Sequence, residues 1–146
     1  MVKILFVCHG NICRSPMAEF IMKELVRQQG REAEFEIDSC AVSTEEIGNG
    51  IYPPAKEELK RHGVPFEGHR AVRLIRRDYE DYDMLICMDR SNIRWAKELL
   101  GGDPQGKLSL LMSFAGEDRD VSDPWYSRRF DIAFDDIMKG CKAVLA

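Results

Sequence analysis

Apolar residues along this chain come in blocks, and each block has the spacing of one kind of element. The run Ile4-Leu5-Phe6-Val7, within residues 3–7, predicts a strand buried on both faces. From residue 15 to about 29 the apolar positions Met17, Phe20, Ile21 and Leu25 recur at helical spacing, with Gly30 as the stop. Phe35, Ile37 and Cys40 alternate as a second strand, followed by a polar loop over residues 43–50. Pro53 and Pro54 open a helix that runs through Lys60 and closes at His62-Gly63. Residues 82–88 predict a third strand, whose run Met84-Leu85-Ile86-Cys87-Met88 is again apolar on both faces. Asp89 and Ser91 open a helix to Leu100, ended by Gly101-Gly102, and residues 108–112 predict a fourth strand. A loop rich in Gly, Asp and Ser spans 113–127. A last helix from 128 to about 145 then carries Phe130, Phe134, Ile137, Cys141 and Val144 on one stripe.

Strands separated by helices predict right-handed crossovers, and hence an α/β fold: a four-stranded parallel sheet, doubly wound, with helices on both faces. In such a sheet ligands bind beyond the carboxyl ends of the strands. Cys8, Cys40, Asp89 and the 113–127 loop all fall at that edge. With 146 residues the chain makes a single domain, 1–146.

Composition narrows the function. A net charge of −4 argues against nucleic-acid binding through a global basic field, so an anion site has to be local. The apolar runs are too short for a signal peptide or a membrane span. Five cysteines, widely spaced and without a Cys-x2-Cys pair, fit a reducing, cytoplasmic setting better than a disulfide framework or a zinc site. The basic cluster Arg70, Arg73, Arg76 and Arg77 reads as a solvated helix face.

The chemistry concentrates in Cys8-His9-Gly10-Asn11-Ile12-Cys13-Arg14-Ser15. Cys8 closes a strand and Arg14 opens a helix six residues later, with a loop between them sized to curl around one phosphate. Gly10 and Asn11 are the residue types that best tolerate positive φ, which turns N–H groups inward. Ser15 is an N-cap type and Pro16 suits a first helical turn. A helix N-terminus and a guanidinium both favour the thiolate, the form in which a cysteine attacks. Ser15 is placed to donate a hydroxyl hydrogen bond to Cys8, and Arg14 to grip two phosphate oxygens. Asn11 reads as a loop-shaping residue. The plain alternative is a core cysteine before an ordinary βα turn.

Phosphoryl transfer to Cys8 also needs a proton for the leaving oxygen. The best donor is Asp123, in Ser122-Asp123-Pro124-Trp125-Tyr126. The proline biases Asp123 towards extended backbone, and the two aromatics supply a wall for a flat leaving group.

These two segments, with Gly68-His69-Arg70-Ala71 and Cys87-Met88-Asp89-Arg90-Ser91-Asn92, closely resemble the low-molecular-weight protein tyrosine phosphatases over nearly the whole chain. The resemblance implies a flavodoxin-like fold and metal-independent hydrolysis of a phosphotyrosine-containing protein by a monomer without cofactor. A phosphocysteine forms on Cys8 with Asp123 as acid and is hydrolysed with Asp123 as base, orthophosphate being product and competitive ligand. It implies that His69 and Asp89 brace Asn11, Ser15 and the loop, and that Cys13 forms a reversible disulfide with Cys8. The chain departs from better-known members at the pocket rim. Thr44-Glu45-Glu46 stands where many have a tryptophan, and Trp125 replaces a common tyrosine. Glu45 therefore disfavours acidic residues beside a phosphotyrosine.

Three alternatives compete. Phosphoarginine phosphatases resembling this loop carry threonine where this chain has Ile12, and isoleucine lacks the hydroxyl that would orient water near a guanidinium. An arsenate-reducing relay through Cys87 needs a resolving cysteine in the following helix, which has none. A non-catalytic anion-binding module has no use for the Cys8, Arg14 and Asp123 set.

Overall fold

The computed structural model describes residues 1–146 as an α/β fold whose sheet has the strand order β2-β1-β3-β4, all neighbours parallel. β1 spans Val2–Cys8, α1 Arg14–Gln28, β2 Phe35–Ala41 and α2 Pro53–Arg61. α3 spans Arg76–Asp81, β3 Met84–Cys87, α4 Arg90–Leu100 and β4 Leu108–Leu110. A short α5, Pro124–Ser127, precedes α6, Phe130–Leu145.

The pleat of β1 divides the core. Ile4, Phe6 and Cys8 face one layer, where α1, α2 and α6 bury Met17, Ile21, Leu59, Phe134 and Ile137. Leu5 and Val7 face the other, smaller layer with Leu74, Leu85, Cys87 and Ala96, under α3 and α4. Both faces are covered, which is why β1 and β3 read as unbroken apolar runs. Gly140 marks the closest approach of α6: a Cβ there would lie 2.5 Å from Leu111 Cγ, and Leu111 is fully buried.

The register brings Cys8 opposite Ala41 and Val7 opposite Cys87, so the carboxyl ends of β1, β2 and β3 form one edge. The chain winds from β1 outward to β2 and then back across to β3. The β1/β3 crevice is therefore the topological switch point where such sheets bind ligands.

Several boundaries differ from the sequence reading. α1 begins at Arg14, with Cys13 and not Ser15 in the N-cap position and no side-chain cap. The fourth strand stops at Leu110, because residues 111–115 tighten into a 3-10 turn that packs on α6. The loop expected over 113–127 contains α5, whose N-cap Asp123 accepts from the Trp125 N–H; the last helix starts at Phe130, not Arg128. The basic cluster is split: Arg76 and Arg77 lie on the short α3, which the sequence pattern did not announce. Arg73 lies on an extended segment bridged to Ala41 at the end of β2, and Arg70 precedes it in the same non-helical stretch.

Candidate active site

The loop between β1 and α1 folds around its own buried polar groups. Asn11 alone of its residues takes positive φ, at 60°. Gly10, expected to share that conformation, does not; its lack of a side chain leaves room for Glu46, whose Cγ would lie 3.4 Å from a Cβ there. Asn11 is fully buried and every polar atom of its side chain is used. Oδ1 accepts from the Val72 N–H (3.1 Å), and Nδ2 donates to Ser15 Oγ (2.7 Å) and Ser39 Oγ (2.9 Å). The His69 Nε2–H donates to the Asn11 carbonyl at 2.7 Å, bracing the loop from outside. Ser15 Oγ lies 2.9 Å from Cys8 Sγ. That oxygen accepts from Asn11, and its own hydrogen can reach either the sulfur or the Cys40 carbonyl at 3.4 Å; toward a thiolate it donates. The Asn11 backbone N–H adds a second donor to Cys8 Sγ at 3.3 Å. The N–H groups of His9, Gly10, Ile12 and Cys13 take no acceptor within the protein, which leaves them as donors for an anion beside the α1 N-terminus.

Arg14 is 2% exposed and joins the loop to the far side of the crevice. Both hydrogens of Nη1 are spent: one on Asp89 Oδ2 and one on the Val121 carbonyl, each at 2.8 Å. Nη2 lies 3.6 Å from Asp123 Oδ2. Burial works against the Arg14 charge, but Cys8, Asp123 and Asp89 together outweigh it and hold the guanidinium above its ordinary pKa. Asp89 itself caps α4 by accepting from the Asn92 N–H at 2.7 Å, so the anchor of Arg14 is part of a helix terminus. Asp123 Oδ1 accepts from the Trp125 N–H at 3.0 Å, which leaves Oδ2 facing Arg14 and the cleft.

A cleft of about 360 Å³ opens above the loop, lined by Cys8, Ile12, Arg14, Glu45, Asp123 and Trp125 among others. Trp125 leans on Tyr52, ring centroids 4.8 Å apart, while Tyr126 stands 84% exposed beyond it. On the opposite rim His9 Nε2 meets Glu45 Oε2 at 3.1 Å. His69 braces Asn11 as expected, but Asp89 reaches neither Asn11 nor Ser15 and holds the loop through Arg14 instead; Ile12, Glu45, Trp125 and Tyr126 line the walls.

The other cysteines are separated from Cys8 by environment. Burial pushes the Cys13 thiol up to about 12, with the neighbouring Cys8 adding to the rise. Burial likewise raises Cys40, Cys87 and Cys141. Cys87 is fully buried in β3, with no second cysteine in α4 to relay to.

Sequence reasoning missed Ser39, Glu19, Tyr52 and the Val121 carbonyl. Ser39 passes the Asn11 contact on to Glu19 Oε1 at 2.6 Å. The available signals were a serine inside a buried strand and a glutamate on the buried face of α1; a backbone carbonyl leaves none.

Residues 3–146 match the sequence profile described as low molecular weight phosphotyrosine protein phosphatase. The chain is 35% identical over 148 residues to the low molecular weight protein-tyrosine-phosphatase YfkJ of Bacillus subtilis, covering all of this chain and 95% of that protein. It superposes on the YfkJ crystal structure with a TM-score of 0.95 over 99% of this chain and 92% of that one. The human low molecular weight phosphotyrosine protein phosphatase is 36% identical, covering 97% of this chain and 92% of that protein. A structure described as the Drosophila arginine phosphatase is 31% identical, with a TM-score of 0.88 over 99% of this chain and 96% of that one. By profile, sequence and fold alike, this chain belongs to the low molecular weight phosphotyrosine protein phosphatase family.

Proposed function

We propose that the protein hydrolyses phosphotyrosine in proteins or peptides through a phosphocysteine on Cys8, without a metal. The observation that carries this reading is the position of Arg14. One buried guanidinium ties the cysteine loop to Asp89, Val121 and Asp123, so that Cys8 and Asp123 share one cleft. With Nη1 spent, Nε and Nη2 form the fork that takes two phosphate oxygens, and the free loop N–H groups take the rest. Cys8 Sγ attacks phosphorus in line while Asp123 delivers its proton to the departing phenolic oxygen. In the second step Asp123 takes a proton from a water whose oxygen attacks phosphorus in line, the P–S bond breaks as the P–O bond forms, and the thiolate leaves into the Ser15 hydroxyl and Asn11 N–H. Orthophosphate is the product and binds the same donors.

Ile12, Trp125 and Tyr126 give the cleft apolar walls for an aromatic ring, and Glu45 with Glu46 makes the opposite rim acidic. Substrates with acidic residues next to the phosphotyrosine are disfavoured there. The site lies wholly within one chain and needs no second copy. Five free cysteines, all buried, fit a reducing, cytoplasmic setting, with Cys13 as the disulfide partner of an oxidised Cys8.

Phosphoarginine is the second substrate to weigh, because a 31% identical neighbour is described as an arginine phosphatase. Against it, the loop offers the apolar side chain of Ile12 where a hydroxyl would orient water. Turnover of phosphotyrosine, phosphoserine and phosphoarginine by the native protein and by Cys8→Ser decides between them. Phosphotyrosine is expected to lead and the variant to be inactive. Preferred phosphoarginine would overturn the substrate, and an active variant would overturn the nucleophile.

A further inference from the structure

Three consecutive residues just ahead of Asp123 are fastened to three different parts of the protein. Arg119 reaches α6, placing Nη1 and Nη2 on the Asp136 carboxylate at 2.9 and 2.8 Å and Nε on Glu117 at 2.9 Å. Asp120 turns the other way, to α4. Its Oδ1 accepts the backbone N–H of Arg90, the first residue of that helix, at 3.0 Å. The Arg90 guanidinium pairs with Asp118 and lies 3.8 Å from Asp120. Val121 is fixed through its main chain, its N–H on the Met88 carbonyl and its carbonyl on Arg14 Nη1, both at 2.8 Å.

The tripeptide Met88-Asp89-Arg90 is thus the common reference for both halves of the chemistry. Asp89 holds Arg14, while Met88 and Arg90 hold the segment that carries Asp123. An acidic side chain at an unpaired helix N–H is also electrostatically favourable, so the Asp120 contact pulls the loop towards the α4 N-terminus. Neither Asp120 nor Arg90 lines the cleft.

We propose that Asp120 is a positioning residue for proton transfer: through the α4 N-terminus it sets where Asp123 stands relative to the leaving oxygen. Proton transfer demands hydrogen-bond reach between donor and leaving atom. Apart from buried Val121, the residues around Asp120 are exposed, so Asp120 is the side chain that fixes the segment's approach to Val121 from the α4 side. Losing the Asp120 contact spreads Asp123 over more positions, while the cysteine loop keeps its own buried braces. The inference rests on the reading of Asp123 as the acid.

The test is kcat/KM over a series of aryl phosphates from good to poor leaving groups, for Asp120→Ala, Asp120→Asn and Asp123→Asn. Asp120→Ala is expected to lower kcat/KM for phenyl phosphate roughly two- to thirtyfold, the range that losing a side-chain bond to a helix N-terminal N–H corresponds to. With 2,4-dinitrophenyl phosphate, which leaves without a proton, it should change less than about twofold, and so should inhibition by orthophosphate. Asp120→Asn keeps an acceptor for the Arg90 N–H and should recover most of the loss. A uniform drop across leaving groups, weakened orthophosphate inhibition, or an asparagine variant as poor as the alanine one would overturn the proposal. Asp123→Asn separates the two failures. If its own loss ignores the leaving group, the acid assignment falls and the proposal with it. If that loss is steep while Asp120→Ala is flat, only the positioning role falls.

Discussion

The two loops that make this site are held by opposite means. The cysteine loop is braced from within: Asn11, Arg14 and Ser15 are buried, and Asn11 alone makes three side-chain hydrogen bonds to Ser15, Ser39 and Val72. The acid loop is strapped down by exposed side-chain contacts of Arg119 and Asp120, with only the two main-chain bonds of Val121 buried. The difference follows the task. Donors that stabilise charge on a phosphate must be oriented beforehand, because reorienting them during the reaction would cost what they contribute. A proton donor must only be within reach when the bond breaks, and its partners include the leaving group of each new substrate.

This contrast can be broken from the side of the cysteine loop first. Arg14→Lys replaces a planar fork with a point charge, and an ammonium that serves both Asp89 and the Val121 carbonyl keeps a single hydrogen for the phosphate. A loss of kcat/KM on the order of 10²–10³-fold is expected, equally for good and poor leaving groups. A leaving-group-dependent loss would mean Arg14 serves mainly to place Asp123. Asn11→Ala strips partners from the buried hydroxyls of Ser15 and Ser39 and the N–H of Val72. It also puts alanine at a positive φ. Chemical denaturation should show a loss of about 2–4 kcal/mol along with the activity. A variant as stable as the native protein would show that the braces serve chemistry alone.

On the acid-loop side the expected effects are smaller and selective. Trp125→Ala removes one wall and its packing on Tyr52. KM for aryl phosphates should rise about three- to tenfold with kcat little changed, an aromatic contact being worth roughly 0.5–1.5 kcal/mol. The slightest change is expected at the rim. Glu45→Gln should improve peptides with an acidic neighbour beside phosphotyrosine about two- to fourfold at low salt, the scale of an exposed charge interaction. The gain should fade as salt rises; a gain indifferent to salt would point to shape instead of charge. Iodoacetate offers a check inside the cysteine loop. At pH 8, Cys8 should be alkylated and protected by orthophosphate, while Cys13, its thiol pushed up to about 12, stays unmodified.

Much of this was legible in the chain. β1 and β3 announced themselves as apolar runs because both faces are covered, and the spacing of Cys8 and Arg14 fell on a strand end and a helix start. α3 escaped notice because six residues with a single buried side chain, Tyr79, carry no period. β4 read too long because Leu111 and Met112 are buried on α6, and apolar character does not distinguish a strand from a 3-10 turn. The expectation of positive φ at Gly10 mistook permissiveness for use: of the loop residues only Asn11 takes it, and a Cβ at Gly10 would just touch the Glu46 side chain. The Asp-Pro segment read as a loop opening a helix, but its short helix became visible only with the Asp123 cap in place. The anchors of the acid loop were least legible, since Asp120 and Arg119 look like ordinary surface charges until their partners on α4 and α6 are known.

The Val121 carbonyl on Arg14 has a metrical consequence. Val121 is moored to Arg14, and Asp123 follows only two residues later, a span of at most about 7 Å of extended chain. Ser122 is the sole free link of that tether, which therefore works as a ruler between Arg14 and Asp123. The loop can vary in length and composition ahead of Arg119 without disturbing the measure. One residue inserted at Ser122 would let the acid overshoot by about 3.3 Å, more than a hydrogen bond.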